Sequence, residues 1–187
     1  SPAQAFPDGR DRIREQDGSQ RTTCPRLESK PMRIGIVGLG YVGLPLAVAF
    51  AEAGNEVIGL ESDSRKVASL RERHSYIDDV DDEAIAALGD ALRATSEADE
   101  LSSCDAILIC VPTPLTLNRE PDLTYLVDAA TSLARVLQAG QLVVLESTTY
   151  PGTTREHLQP ILEESGLKAG EDFALAFSPE RIDPGRT

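Results

Sequence analysis

The sequence predicts an α/β fold, a doubly wound parallel sheet with helices on both faces. Two observations lead to this prediction. Short runs rich in Val, Ile and Leu, apolar on both faces, recur from Met32 onward. Such runs are typical of strands in a parallel sheet, because both faces of that sheet are buried. Segments with helical patterns separate the runs, and the right-handed crossover rule then places helices on both sides of the sheet.

The first predicted elements surround a glycine-rich segment. Residues 33–37 (RIGIV) are a short β-branched run that stops at a glycine, which predicts a buried strand. Residues 42–53 are rich in Leu, Ala and Val and precede Gly54, which predicts a helix. Pro45 suits its first turn, where N–H groups have no partner within the helix. Residues 56–60 (EVIGL) predict the second strand.

The later elements continue this alternation without an internal repeat. Val67 and Leu70 share one face of a helix predicted over residues 64–73. In the last predicted helix, Thr153 and Glu156 have the spacing of a capping box. The other predictions are helices at 82–88, 123–138 and 153–165 and strands at 91–95, 106–111, 141–146 and 173–177.

Composition separates the first 31 residues from the rest of the chain. The 187 residues carry a formal charge of −13, to which residues 1–31 contribute +1 and residues 32–187 contribute −14. Large apolar residues are few in the first segment, so it cannot bury enough surface to offset the entropy of ordering. We therefore predict a disordered extension at residues 1–31 and a single domain at residues 32–187.

Charge and cysteine spacing exclude several classes of function. The acid excess argues against binding to nucleic acid or to anionic membranes. We find neither a signal peptide nor the roughly 20 apolar residues of a membrane span, and we expect a cytoplasmic protein. Cys24, Cys104 and Cys110 lack CxxC spacing, so reduced thiols are expected, with no disulfide or zinc site. His74 and His157 are isolated and predict no metal ligand.

The strongest chemical signal is the glycine-rich segment at residues 38–43 (GLGYVG). It has the GxGxxG pattern between a predicted strand and a predicted helix, which is the context in which this pattern binds dinucleotides. Gly38 permits the tight turn, Gly40 lets the backbone approach a pyrophosphate, and Gly43 allows close packing of helix on strand. The helix N-terminus would hold the pyrophosphate without a basic patch. The segment predicts a Rossmann-like cofactor site.

Glu61 ends the second predicted strand, 18 residues after Gly43. A carboxylate there can accept hydrogen bonds from both hydroxyls of an adenine ribose, and it would repel a 2′-phosphate. It therefore favours NAD over NADP, although Arg65 and Lys66 follow closely and can soften this preference. The alternative interpretation is a solvated acid at the end of a strand.

Two loops with hydroxyl side chains follow neighbouring strands at the carboxyl edge of the sheet, where doubly wound folds bind ligands. In residues 110–114 (CVPTP), the prolines fix the backbone and leave the Thr113 hydroxyl as the free polar group. Residues 146–152 (ESTTYPG) place three hydroxyls beside the same crevice. Helix capping alone does not explain why rigid turns recur at neighbouring strand ends.

In this order, the motifs resemble the UDP-glucose/GDP-mannose dehydrogenase family. The resemblance covers essentially all of residues 32–187 and looks like the NAD-binding N-terminal domain of those enzymes. It rests on GLGYVGLPLA at 38–47, the acid at 61, VPTP at 111–114, STTYPGTT at 147–154 and SPERIDPG at 178–185. The SPER sequence, where UDP-glucose dehydrogenases usually show a PEFL type, and SYI at 75–77 are similar to the UDP-N-acetylhexosamine (GlcNAc or ManNAc) 6-dehydrogenase branch.

The resemblance implies an NAD-dependent, two-step oxidation of a UDP-sugar at C6, from alcohol to uronate, through a cysteine-bound thiohemiacetal and thioester. Thr149 matches the catalytic threonine of the family, and Glu180 matches the glutamate proposed to activate the hydrolytic water. Glu180 and Arg181 would also contact the substrate. The cofactor contacts that the resemblance implies come from Gly38, Gly40, Tyr41, Val42, Gly43, Glu61, Lys66, Pro112, Thr113 and Thr149. Departures are Glu61, where aspartate is commoner, and Ser147, where many relatives carry lysine.

The nucleophilic cysteine and a catalytic lysine of the family lie beyond this length, and none of the three cysteines matches. We therefore expect a truncated enzyme that binds NAD but does not turn over alone. Its expected partner is a nucleotide sugar in the full enzyme, with no nucleic acid and no membrane, and a homo-oligomer is left open. Two alternatives remain: a non-catalytic dinucleotide-sensing or interaction module, and a β-hydroxyacid type of Rossmann dehydrogenase, which leaves SPERIDPG unexplained. The sugar is not assigned.

Overall fold

A central parallel sheet organises the protein. The computed structural model describes residues 30–115 and 121–179. Within these residues six parallel strands lie in the order β3-β2-β1-β4-β5-β6. They are β1 (Arg33–Val37), β2 (Glu56–Leu60), β3 (Leu92–Thr95), β4 (Ala106–Ile109), β5 (Leu142–Leu145) and β6 (Ala174–Phe177). The first strand lies in the middle of the sheet, β2 and β3 extend the sheet to one edge, and β4 to β6 form the other half. This confirms the predicted doubly wound, Rossmann-like sheet.

Helices cover both faces of the sheet. Those in the described ranges are α1 (Gly43–Glu52), α2 (Ser64–Arg71), α3 (Asp82–Leu88), α4 (Thr124–Ala134) and α5 (Gln159–Glu163). Leu44 of α1 packs with Ile36 of β1 in one buried cluster. Leu126 of α4 packs with Val37 of β1 in a second buried cluster. Because successive strand residues point to opposite faces, the apolar runs are buried on both sides.

The register brings three strand ends to one edge. Val37 of β1 is paired with Leu60 of β2 and with Ile109 of β4. The residues that follow these strands therefore leave the sheet at the same level, although they are far apart in the chain. The strand order reverses between β1 and β4, and ligands of doubly wound sheets bind at that point.

Several elements end before their predicted limits, among them two helices. α4 stops at Ala134, although a helix is predicted to residue 138. The Val136 amide donates to the Leu133 carbonyl in a tighter turn, and the Gln138 amide donates to the side chain of Gln141. These contacts turn the chain towards β5. α2 likewise ends at Arg71 rather than at residue 73.

The segment after β5 departs further from prediction. Residues 154–158 form a π-helical turn before α5 begins. Pro160 has no N–H to bond the carbonyl of residue 156, so a regular α-helix cannot run through this point. The capping box is also wrong: the Thr153 hydroxyl donates to the Tyr150 carbonyl at 2.8 Å, and no side-chain cap forms at Thr153.

The structure also bears on what the sequence predicts about cysteines, metal ligands and membrane-spanning helices. Cys104 and Cys110 are buried and form no disulfide, and Cys24 lies outside the described residues. Burial raises the pKa of the Cys104 thiol to about 11, so it is protonated at neutral pH. Among described residues there is no cluster of His, Cys, Asp and Glu that could hold a metal ion. No described helix has the length and apolar character of a membrane span. Residues 1–29, most of the predicted extension, lie outside the described ranges.

Candidate cofactor-binding site

A cavity of about 800 Å³ opens at the carboxyl edge of the sheet, where the strand order reverses. The cavity is lined by residues that follow β1, β2, β4 and β5 and by one side of α4. Of the predicted cofactor residues, those that line it are Gly38, Gly40, Tyr41, Val42, Glu61, Lys66, Pro112 and Thr113. The structure therefore gathers these side chains and backbone groups from three separate segments of the chain.

The three glycines of the motif have different surroundings. Gly38 has a φ of +91°, and a Cβ there would lie 2.9 Å from the Cys110 carbonyl oxygen. A Cβ on Gly43 would lie 1.8 Å from the Gly38 carbonyl oxygen, so Gly43 serves the packing of α1 on β1 and does not line the cavity. A Cβ on Gly40 would meet no protein atom within 4 Å. Nothing in the protein itself requires glycine at residue 40, but close approach by a ligand would require it.

The amino end of α1 presents backbone donors to this open space. Within the described residues, the amides of Gly40, Tyr41 and Val42 donate no hydrogen bond to protein atoms. Val42 is the N-cap residue, no side chain caps the helix, and its first turn has no acidic residue. Unpaired N–H groups at the positive end of a helix dipole favour an anion such as a pyrophosphate.

Glu61 is held beside this loop. It is only 8% exposed, so it is not a solvated acid at the end of a strand. Its Oε2 atom accepts a hydrogen bond from the Leu39 amide at 3.2 Å, and its Oε1 atom accepts one from the Asp63 amide at 3.1 Å. The Ser62 hydroxyl also donates to Oε1, at 3.4 Å. A carboxylate offers about four acceptor sites, so at least one remains for a ribose hydroxyl. Taken with the open space at Gly40, this arrangement fits NAD.

The two cations after Glu61 occupy different positions. Arg65 is exposed and donates two side-chain hydrogen bonds to Asp63, at 3.0 and 2.8 Å. These bonds, together with one from the Arg65 amide, lower the pKa of Asp63 to about 2. Lys66 points inward, with its Nζ atom 3.6 Å from Glu61 Oε2 and 5.3 Å from the ring centroid of Tyr76. The nearer cation is thus engaged by the acid that faces the cavity.

Two polar contacts hold the loop that follows β5 against the end of β4 and against the loop after it. The Thr113 hydroxyl donates to the Thr148 carbonyl, so the expectation of a free hydroxyl is wrong. The buried Ser147 hydroxyl donates to the Ile109 carbonyl at 3.2 Å. These bonds form because β4 and β5 are neighbours in the sheet, and they fix both loops against each other at the cavity rim.

The remaining predicted site residues lie elsewhere. Thr149 is half-buried and does not line the cavity, whereas its neighbours Ser147 and Thr148 do. Glu180 and Arg181 lie outside the described residues, so the roles that the family resemblance implies for them stay predictions.

Sequence reasoning missed the contribution of α4. Tyr125, Asp128 and Ser132 all line the cavity. Their spacing places them on one side of the helix, and this spacing was the available signal. It was not decisive, because polar residues at helical spacing usually mark a solvated face.

Comparison with known proteins gives a consistent result. Residues 32–187 match the UDP-glucose/GDP-mannose dehydrogenase family, NAD binding domain. The UDP-N-acetyl-D-glucosamine 6-dehydrogenase of Pseudomonas aeruginosa is 41% identical over 157 residues, which cover 83% of this chain and 37% of that protein. The UDP-N-acetyl-D-mannosamine dehydrogenase of Pyrococcus horikoshii is 37% identical over 159 residues, 83% of this chain and 38% of that protein.

The solved structures extend this similarity to the fold. The NDP-N-acetyl-D-galactosaminuronic acid dehydrogenase from Methanosarcina mazei superimposes with a TM-score of 0.77 at 38% identity, covering 83% of this chain and 36% of that one. This chain therefore spans a little over a third of the length of the relatives that it matches.

Proposed function

Because this chain belongs to the UDP-glucose/GDP-mannose dehydrogenase family and matches its NAD-binding domain, we propose that it supplies NAD binding to a nucleotide-sugar 6-dehydrogenase. The substrate class that we propose is a UDP-N-acetylhexosamine, which the full enzyme oxidises from the C6 alcohol to the uronate. The names of two relatives, which act on UDP-N-acetyl-D-glucosamine and UDP-N-acetyl-D-mannosamine, support this class.

The observation that carries the proposal is the juxtaposition of Glu61 with the glycine-rich loop. The buried carboxylate lies 3.2 Å from the Leu39 amide, directly before the unpaired amides of Gly40, Tyr41 and Val42. The amides suit the pyrophosphate of a dinucleotide, and the carboxylate suits an adenine ribose with free hydroxyls. A 2′-phosphate would meet a negative charge in a buried setting, so NAD is favoured over NADP.

Each part of the cavity has a separate task. Bound NAD⁺ would accept the hydride that leaves the substrate. Glu61 and the loop amides hold the cofactor, whereas the linked loops at Thr113 and Thr148 shape the other end of the crevice. We assign Thr149 as catalytic, Glu180 as the base for the hydrolytic water, and Glu180 with Arg181 as substrate contacts; the order of motifs shared with the family supports these assignments.

Turnover requires a nucleophile that neither described cysteine provides. Cys104 is buried and protonated at neutral pH. Cys110 is buried at the end of β4, where its Cβ atom lies 3.2 Å from the position of a Cβ on Gly43. Hence this chain alone is proposed to bind NAD without producing NADH. We also propose that the protein has no nucleic-acid or membrane partner, and its net charge of −13 supports this. The location that we propose is the cytoplasm.

Calorimetric titration of the chain with NAD⁺ tests the binding. We expect binding by the unaltered chain, at least about tenfold weaker binding by Glu61→Ala, since hydrogen bonds to a charged group are lost, and weaker binding of NADP⁺ than of NAD⁺. Asp90→Ala is the matched control, because Asp90 is an acid that precedes β3, at the amino ends of the strands, and does not line the cavity.

Two outcomes would contradict the proposal. One is the absence of any NAD⁺ binding by a chain whose circular dichroism shows it to be folded. The other concerns chemistry: NADH formed by this chain alone from NAD⁺ and UDP-GlcNAc would contradict the proposed lack of turnover.

A further inference from the structure

Three side chains form a closed ring with the backbone of Leu39. The Leu39 amide donates to Glu61 Oε2 at 3.2 Å, and the Leu39 carbonyl accepts from the Tyr76 hydroxyl at 2.8 Å. Lys66 completes the ring, with its Nζ atom 3.6 Å from Glu61 Oε2 and 5.3 Å from the Tyr76 ring centroid. The four residues come from the glycine-rich loop, the end of β2, α2 and the segment after α2.

Leu39 is the residue through which this ring acts on the loop. It lies between Gly38 and Gly40, and its side chain is fully buried. A Cβ on Gly59 of β2 would lie 2.6 Å from Leu39 Cδ1, so the Leu39 side chain occupies the space that this glycine leaves. With the side chain fixed in the core, the two hydrogen bonds fix the peptide groups on each side. Their orientation sets the direction of the amides that follow.

Tyr76 is suited to be a permanent donor. It is half-buried, and burial, reinforced by the charges of Glu61 and Asp63, raises the pKa of its hydroxyl above the ordinary value. The hydroxyl therefore keeps its proton at neutral pH. The face of the same ring is close enough to Lys66 for a cation–π interaction.

We propose that Tyr76 is a positioning residue for the cofactor, acting on the loop through its hydroxyl and on Lys66 through its ring. The hydroxyl holds the Leu39 carbonyl and so orients the amides of the glycine-rich loop. The ring keeps the Lys66 ammonium against Glu61, whose carboxylate engages it and leaves it less available to a 2′-phosphate. Tyr76 thereby contributes to the selection of NAD over NADP without touching either cofactor. This inference rests on the proposed NAD binding.

The two parts of the proposal predict different results for two substitutions. Tyr76→Phe keeps the ring and loses the hydrogen bond, so we expect NAD⁺ and NADP⁺ affinity to fall by the same factor of about three to ten. Tyr76→Leu also removes the ring and frees Lys66, so we expect the ratio of NAD⁺ to NADP⁺ affinity to fall by a further factor of about two to five. A merely structural role would lower both affinities and leave the ratio unchanged.

A double substitution isolates the cation. In Tyr76→Leu combined with Lys66→Met, no ammonium is available for a 2′-phosphate, so the change in the ratio should vanish. Tyr150→Phe is the matched control, because it also removes a tyrosine hydroxyl that makes a 2.8 Å hydrogen bond, there to His157. It should change neither affinity nor ratio.

The measurements are calorimetric titrations with NAD⁺ and NADP⁺ and hydrogen exchange of the Leu39 amide, which is bonded to Glu61 and should exchange faster in Tyr76→Phe. Absence of NAD⁺ binding by the unaltered chain would overturn the proposed function and this inference together. Binding by the unaltered chain, with an unchanged ratio in Tyr76→Leu, would overturn the inference alone. If Tyr76→Leu does not fold, unchanged affinity and unchanged exchange in Tyr76→Phe decide against the role of Tyr76.

Discussion

A Cβ atom on Gly43 would lie 1.8 Å from the carbonyl oxygen of Gly38, so the backbone at the first glycine of the motif requires a glycine at the third. This contact is where α1 leaves the end of β1. Gly40, between them, has no protein atom within 4 Å of the position that a Cβ would take. One motif therefore contains two kinds of glycine: those that the fold requires, and one for which no described protein atom requires a glycine.

Gly43→Ala should destabilise the protein. The added methyl group overlaps a backbone carbonyl, which cannot move without separating α1 from β1. We expect the free energy of unfolding to fall by about 1–3 kcal/mol, the usual cost of overpacking. Urea denaturation followed by circular dichroism measures this. An unfolding midpoint equal to that of the unaltered chain would contradict the contact between Gly43 and Gly38.

Gly40→Ala should have the opposite profile. With no protein atom close to the added methyl group, the free energy of unfolding should change by no more than about 0.5 kcal/mol. The methyl group would stand beside the unpaired amides, so NAD⁺ affinity should fall at least about tenfold, or roughly 1.4 kcal/mol. Calorimetry measures the affinity. Unchanged affinity would show that no ligand approaches the backbone at residue 40.

Thr113→Val should loosen the two linked loops. Valine has the shape of threonine but cannot donate to the Thr148 carbonyl. We expect NAD⁺ affinity to fall about three- to tenfold, the equivalent of one ordinary hydrogen bond, and amide exchange in residues 146–149 to accelerate. Thr113→Ser retains the hydroxyl and serves as the rescue control. A serine variant as weak as the valine variant would exclude the hydrogen bond as the cause.

The pair formed by His74 and Asp82 should give stability a dependence on pH. His74 Nδ1 lies 2.9 Å from Asp82 Oδ2, and this hydrogen bond and charge raise the pKa of His74 above its ordinary value of 6.5. A raised pKa in the folded state means stabilisation that is present below the unfolded value and is lost as pH rises through the folded one. Thermal melting between about pH 6 and pH 8 measures this loss.

His74→Gln is the variant for that experiment. It should reduce the fall in melting temperature across this interval, and the effect should be small because both side chains are largely exposed. Identical slopes for the two proteins would contradict the pairing. Asp82 extends the effect at lower pH, because the pKa of its carboxyl is lowered and its contribution is lost only as pH falls.

The sequence predicts the first half of the fold closely, because local signals agree there. β1, β2 and α3 have the predicted bounds. Each is a short apolar or amphipathic run bounded by glycine or acidic residues, and such signals act within a few residues. The larger errors fall where short-range contacts that hydrophobic periodicity does not record end or widen a helix. α4 ends early where Gln141 accepts from the Gln138 amide, and the segment at 154–158 widens ahead of Pro160.

The candidate site divides in the same way. The glycine-rich loop and Glu61 follow from the sequence, because a strand, a turn and a helix that are consecutive in the chain set their spacing. Two features of the site were not predicted: the bond from Tyr76 to the Leu39 carbonyl, and the face of α4 at Tyr125 that lines the cavity. In each case the residue comes from a segment far from the glycine-rich loop in the chain.

By itself, then, the sequence predicted the class of fold, the loop whose amides suit a dinucleotide, and the acid that favours NAD, since all three depend on local geometry. The tertiary structure alone decided which glycine the fold requires, that the Thr113 hydroxyl is already engaged, and that Tyr76 holds the Leu39 carbonyl. The last two contacts join residues that are 35 and 37 positions apart in the chain. They exist because parallel strands bring their carboxyl ends to one edge, which no local pattern records.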